Sequence, residues 1–523
     1  MRRGIGSIVN FIRRSAPMLV SSVLLAGSVW AQVPTTSNQS RSSQTNQLPL
    51  SGRSVQTGSV SATQAPVPGA TTSVNTLNPT VQVQGPYSGS TLSTAKMPFL
   101  GTLSLRDAVR RGIEYNLGAI GLNDAVRQSR GQAKAARSVL LPSLNANITE
   151  TAEQLNLNAI GLKTSPTIGG FTIPSVVGPL GLFDARASLT QTVLDLTAWH
   201  NYRSATETSR ANELSAQDAT DLVVFAVGGV YLQVIAAKAK LDSARAQLNT
   251  ANALYQQTQQ QRNVGVVAQI DVNRSQIQAL TQQQRIVSLQ NDLAKLKISL
   301  ARLAGLPAND LFDVSDDVPY TPAPPISADE ALKQAFEHRS DLKAAEAQVR
   351  AAERTRAAAR SERLPSLALT ADYGVLGLAP TQSHGTFNVA ATLRIPIWQG
   401  GRAEANIEQA EAALAQRRAE LEDVRGRIEG EVRNAFLDLQ AATSQVEVAL
   451  KNIQVSQQNL SLTRQRFEAG VSDNVEVVQS QESVATSQLD YITSVFAHNL
   501  AKLTLARAIG GAAESLSRFL SLQ

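Results

Sequence analysis

The sequence predicts a duplicated fold in which very long α-helices carry amphipathic β-strands of a transmembrane β-barrel. Three observations lead there: an internal duplication, two long stretches without proline, and four segments in which apolar and polar residues alternate.

The duplication sets the plan of the chain. Residues 105–109 recur as 328–332, and Leu141, Pro142, Ser143 and Leu144 recur as Leu364, Pro365, Ser366 and Leu367, both at an offset of 223. Further on, 183–193 match 387–397 at an offset of 204, while Gly265 matches Gly470 and 301–305 match 506–510 at 205. The offset falls by 19 only between the two strands of each repeat. That segment is therefore a loop of variable length between fixed elements.

Residues 1–31 are laid out as a secretory signal peptide: Arg2, Arg3, Arg13 and Arg14, an apolar stretch from Ala16 to Val29, and a small-residue exit at Ala31. Residues 32–98 are rich in Ser, Thr, Gln, Pro and Gly with almost no charge, which predicts a flexible leader. Repeat one spans 99–307, a linker 308–325, repeat two 326–511 and a tail 512–523.

Each repeat reads helix, strand, strand, long helix, turn, helix. No proline occurs between Trp199 and Leu306 or from Ile397 to the C-terminus, although the chain holds 20. One helix from about Trp199 to Gln261 would run for roughly 90 Å at ~1.5 Å per residue. The helices near 105–140 and 269–304, end to end, make a partner of similar length. Leu293, Leu296, Leu300 and Leu303 keep the spacing of a coiled-coil seam.

The strands fall at about 143–150, 183–193, 366–373 and 386–397. In the first, Leu144, Ala146 and Ile148 oppose Asn145, Asn147 and Thr149; in the last, Phe387, Val389, Ala391, Leu393 and Ile395 oppose Asn388, Thr392 and Arg394. Such alternation also fits half-buried strands of a soluble sheet. Arg and Asp on the polar faces suit a wet lumen instead, and four strands cannot close a barrel, so several copies must contribute.

Composition removes other classes. The 48 basic and 42 acidic residues give +6, and loss of the four signal arginines leaves about +2, which takes away the main support for a nucleic-acid partner. The absence of cysteine excludes disulfides and a lipidated N-terminus. No second apolar run approaches the roughly 20 residues of a spanning helix. His200, His338, His384 and His498 lack metal-ligand spacing, and Gly400 and Gly401 lack the spacing and lysine of a phosphate loop. No cofactor and no enzymatic machinery is expected.

Taken together, residues 100–511 resemble the TolC-like outer-membrane efflux proteins. The resemblance rests on the two helix-turn-helix tips, 264–272 and 466–477, on the Leu-Pro-Ser-Leu strand entries, and on the 395–401 strand-to-helix turn with its counterpart at 192–196. It implies a homotrimeric channel-tunnel in which an α-helical barrel crosses the periplasm below a twelve-stranded β-barrel set in outer-membrane lipid. It further implies a passive duct of a tripartite efflux or type I secretion system, working with a periplasmic adaptor and an inner-membrane transporter.

The resemblance also places candidate sites at the tips. Val264, Gly265 and Val266, with Ala469, Gly470 and Val471 in repeat two, map to the surface that meets the adaptor. Asp271 and Glu476, each six residues after a tip glycine, map with Asp473 to the periplasmic aperture, with Arg262, Arg274 and Arg466 as possible gate partners. The family's latching Arg is Ser472 here, an aromatic hydroxyl is lost at Phe467, and the second aperture acid is Gln479. Carboxylates repeated around a narrow opening favour cations. The competing reading is a periplasmic coiled-coil adaptor or spacer, although an adaptor would carry one helical hairpin rather than a duplicated unit.

Overall fold

The computed structural model describes residues 59–67, 76–91, 101–159, 175–308, 312–315, 319–323 and 325–512. The expected signal peptide lies outside the described residues, as does the tail after Ala512. In chain order come β1 (Val60–Val67), β2 (Thr76–Val83), β3 (Gly101–Leu103), α1 (Leu105–Tyr115), α2 (Leu117–Ser138), β4 (Ser143–Asn156), β5 (Val176–Leu194), α3 (Leu196–Asn263), α4 (Gln269–Leu303) and β6 (Phe312–Val314). Then follow α5 (Ala328–His338), α6 (Ser340–Ser361), β7 (Ser366–Gly377), β8 (Ser383–Arg394), α7 (Arg402–Glu468) and α8 (Asn474–Ile509).

Local chemistry explains the helix ends. Ser104 and Ser327, related by the offset of 223, cap α1 and α5 by accepting from the backbone N–H of Asp107 and Glu330. Asp195 caps α3 in the same way through Ala198. With no proline inside them, α3 and α7 continue for 68 and 67 residues, about 100 Å each at ~1.5 Å per residue. Among the described residues, α3 alone has a stretch long and apolar enough to cross a membrane, and 67% of that stretch is buried inside the protein. No such run is expected from the sequence. Packing against α1, α4 and α8 marks this one as a core segment, with Val223, Val227 and Tyr231 buried beside Leu105, Leu300, Leu303 and Leu500. The leucine seam on α4 is thereby realised.

The stretch near 105–140 is divided at Asn116, and its counterpart in repeat two is divided at Arg339, again at the offset of 223. Both residues are extended and buried. Asn116 accepts from Gly118 N–H at 2.9 Å and donates to the Tyr87 carbonyl at 2.7 Å. Arg339 instead bonds Asp341 at 2.7 Å and Glu431 at 2.5 Å. The ends of α4 and α8 press onto these breaks through Gly305 and Gly510. Both have positive φ, and a Cβ on Gly305 would stand 2.5 Å from that of Tyr115.

Part of the stretch read as a flexible leader is ordered. β1 and β2 pair antiparallel, and Val81 sits so close to α3 that a Cβ on Gly229 would lie 2.6 Å from it. Tyr87 packs equally tightly on Gly118. Burial of Val60, Val81, Val83 and Tyr87 against the main core offsets the ordering entropy that composition alone leaves uncompensated. Within the expected linker, β6 pairs in parallel with β3.

β4, β5, β7 and β8 form one antiparallel sheet in that order. Its register puts Leu144, Leu189, Ala371 and Val389 side by side, and next to them Ala146, Ala187, Tyr373 and Phe387. The other face aligns Asn145, Ser188, Asp372 and Asn388, where Arg186 reaches Asp184 at 2.6 Å and Asp372 at 3.2 Å. One face is therefore apolar across all four strands and the other polar. The strands run longer than expected at Asn156, Val176 and Gly377. β8 stops at Arg394 rather than 397, because Pro396 has no N–H to continue the ladder.

One histidine acquires a physical role. His498, 0% exposed on α8, lies 4.8 Å from the Tyr320 ring. Burial, and then the Lys502 charge, push its pKa down to about 4 from the usual 6.5. The unfolded chain takes up this proton below pH 6.5 while the native state does not. Stability is thus fully present above 6.5 and falls as pH drops toward 4, by roughly 3 kcal/mol per protomer. The denaturant midpoint should fall between pH 7 and pH 4.5, and His498→Gln should flatten that slope; an unchanged slope contradicts the assignment.

Candidate functional site

Each long helix ends in the same motif. At the end of α3, Gly265 N–H donates to the Arg262 carbonyl at 2.9 Å and Val266 N–H to that of Gln261 at 2.8 Å, with Gly265 at φ 79°. At the end of α7, Gly470 N–H donates to Phe467 at 3.0 Å and Val471 N–H to Arg466 at 2.9 Å, with Gly470 at φ 72°. Two carbonyls left over by each helix are satisfied in this way, and glycine is the residue that takes the left-handed conformation without strain. The turn explains the glycines. It does not explain Val264, Val266 and Val471, which are 76%, 70% and 71% exposed. Ala469, the cap of α7, is exposed beside them.

The tips differ in how the return helix starts. Asp473 caps α8, accepting from the N–H of Val475 at 3.1 Å and of Glu476 at 3.2 Å. Asp473 is therefore committed to the backbone. Ala268 caps α4 without a side-chain bond. The structure pairs each of the other acids with an arginine: Asp271 with Arg274 at 3.4 Å, and Glu476 with Arg466 at 3.4 Å. Ser472 Oγ also donates to Glu476 at 2.6 Å, so the residue standing in the latching position holds the neighbouring acid. Arg262 stands in the last turn of α3, where its charge meets the carbonyl end of the helix.

Several contributors were missed in the sequence. Asn474, 1% exposed, donates through Nδ2 to the Asp271 carbonyl at 2.9 Å and ties one tip to the other. Higher up, Glu482 on α8 accepts from Gln278 and Gln282 at 3.3 Å and from Arg285 at 3.1 Å, all on α4. Seven residues before each tip glycine a buried hydroxyl pair closes the hairpin seam: Thr258 with Ser275 at 2.7 Å, and Thr463 with Ser480 at 3.1 Å. The pairs are related by the offset of 205, a signal that the aligned repeats already held. Nothing in this arrangement supplies a nucleophile and base. It presents an exposed apolar tip beside Asp271 and Glu476, each paired with an arginine, and Asp473, which caps α8.

A family model described as outer membrane efflux protein matches residues 124–306 and 331–511. Among known relatives, the pyoverdine export outer membrane protein OpmQ of Pseudomonas aeruginosa is 25% identical over 396 residues, covering 75% of this chain and 81% of OpmQ. Outer membrane protein TolC of Escherichia coli is 26% identical over 296 residues, 53% of this chain and 55% of TolC. Among solved structures, the CmeC outer membrane channel of Campylobacter jejuni superposes with a TM-score of 0.66 at 15% identity, covering 80% of this chain and 89% of that one. A membrane protein from Pseudomonas aeruginosa gives 0.69 at 21% identity, covering 78% and 93%. These structures share the fold.

Proposed function

The chain belongs to the outer membrane efflux protein family and is an outer-membrane channel with a periplasmic helical tunnel; we propose that it works as a homotrimer docked through its tips on a periplasmic adaptor and an inner-membrane transporter. The family is one of efflux channels rather than enzymes, and the match sets aside the adaptor or spacer reading.

The observation that carries the trimer is the sheet. β4 and β8 are its two outer strands, and one whole face is apolar. Unpaired edges cannot persist in hydrocarbon. Pairing β8 of one copy with β4 of the next closes a barrel with the apolar face toward lipid. The helices repeat this asymmetry: α3 packs with α4 and α8, and α8 with α7, leaving α4 and α7 as outer flanks. Val448, Val455 and Leu462 step along α7 at heptad spacing, and Ile270, Ile277 and Val287 line α4, all exposed. Each flank offers the apolar stripe that the other lacks a partner for. Asp271, Glu476 and Asp473 then recur three times around the periplasmic opening, and Val264, Gly265, Val266, Ala469, Gly470 and Val471 form the adaptor-facing rim.

The protein should sediment with the outer membrane and migrate as a heat-modifiable species, and cross-linking in native membranes should trap three copies. Release by osmotic shock contradicts the channel reading, and a ladder that stops at dimers contradicts the trimer.

A further inference from the structure

The two repeats share contacts as well as elements. Arg130 on α2 pairs with Glu213 on α3 at 2.8 Å. The positions that match them, at offsets of 223 and 205, hold Glu353 on α6 and Arg418 on α7, paired at 3.0 Å with the charges exchanged. Val223, Val227, Val230 and Val234 are buried on α3, and at an offset of 205 so are Ile428, Val432, Ala435 and Leu439 on α7. The surroundings of a residue in one repeat thus predict those of its counterpart in the other.

The contacts that join repeat one to repeat two have no counterpart inside the chain. There Arg507, near the end of α8, pairs with Asp218 on α3 at 2.5 Å, and the two side chains are only 14% and 19% exposed. Nearer the tip on the same seam, Gln488 accepts from Ser243 at 2.7 Å and from Gln247 at 2.8 Å. In a closed ring of copies, repeat two of one copy meets repeat one of the next as repeat one meets repeat two within the chain. The offset of 205 carries Asp218 forward to Asp423 on α7 and Arg507 back to Arg302, in the last turn of α4. Both charges are kept. That is selective, because Asp218 alone among the charged residues of α3 keeps its residue type at the matching position of α7. The same step carries Gln247 and Gln488 to Asn452 and Gln283, amides that can bond each other. All four residues stand exposed, and among the described residues the side chains of Arg302 and Asp423 make no ion pair. A solvated surface charge accounts for either residue alone. It does not account for an opposite pair placed by the relation that also matches Arg130 and Glu213 to Glu353 and Arg418.

We propose that Arg302 of one copy and Asp423 of the next form an ion pair that clasps the helical barrel between copies, as Arg507 and Asp218 clasp it within each copy. The proposal rests on the trimer reading above. Covered by the neighbouring copy, the pair leaves water as Arg507 and Asp218 do, so removing one charge strands the other. For the test, Arg302→Asp and Asp423→Arg are made singly and together in the full-length protein. The trimer band of outer-membrane extracts is followed against temperature on denaturing gels. Each single variant sets like charges against each other and should lose the trimer at a temperature at which the wild type keeps it. The double variant restores an opposite pair and should regain the band. A single variant that fails to assemble counts as such a loss, and recovery in the double variant still reads the pair. Absence of a trimer in the wild type overturns the trimer reading and the clasp together. A wild-type trimer with single variants equally stable, or with a double variant no better than either single one, overturns the clasp alone.

Discussion

Val266→Asp should abolish export while the trimer still assembles in the outer membrane. Val266 is 70% exposed and sits one residue beyond the Gly265 turn, so a carboxylate there costs the folded chain little. At the centre of an apolar contact it would cost roughly 2 kcal/mol or more, some thirtyfold in affinity. Gly265→Glu should act likewise, with backbone strain of about 1–2 kcal/mol added by its positive φ. A Cβ at Gly265 meets nothing within 4 Å, so Gly265→Ala isolates that strain. If docking runs through the exposed side chains, Gly265→Ala retains most export and Val266→Asp does not. Export assays with the outer-membrane level held equal decide it, and wild-type export in Val266→Asp places docking elsewhere.

Glu476→Gln should lower cation selectivity and block by multivalent cations in planar bilayers. The pairing with Arg466 sharpens this expectation. Both side chains are about half exposed, so the pair is worth only ~0.2–1 kcal/mol and its loss leaves the hairpin folded. Arg466→Ala uncovers the carboxylate and should raise selectivity and block, whereas Glu476→Gln moves the reversal potential toward zero. Opposite signs from two partners of one ion pair are difficult to produce by a nonspecific change of the tip. Unchanged selectivity in Glu476→Gln would remove this acid from the conduction path.

Much of this was legible because it is periodic. Alternation of Leu144, Ala146 and Ile148 against Asn145 and Asn147 fixes faces without tertiary knowledge, and offsets of 223 and 205 align Ser104 with Ser327 and Gly265 with Gly470. What was not legible depends on a partner far along the chain. The β1–β2 hairpin folds because Val81 meets Gly229, and no composition rule for residues 32–98 contains that contact. Asn116 and Arg339 divide their helices without themselves being proline or glycine, since what stabilises the break is Tyr87 in one case and Glu431 in the other. The tip residues were singled out by the family resemblance, and the acids among them by their spacing from the two glycines. Their cations were narrowed only by geometry, and Asn474 and Glu482, ordinary polar residues on a helix, carried no signal of their own.

In the proposed assembly, copies join head to tail, β8 of one against β4 of the next, into a closed ring of three. The β5–β7 pair Leu189–Ala371, carried over the repeat offsets of 204 and 223, sets Leu393 on β8 of one copy opposite Ile148 on β4 of the next; the chain has no cysteine, so Ile148→Cys and Leu393→Cys can be introduced together into an otherwise thiol-free protein. Within one copy these positions lie on opposite edges of the sheet and in different rows, at least three strand spacings or ~14 Å apart, well beyond the ~7 Å that a disulfide spans. Oxidation in intact outer membranes should therefore yield linked dimers and a covalent trimer and then stop, while each single-cysteine protein stays monomeric on denaturing gels. Monomers alone, or a ladder that climbs past three, would contradict the account.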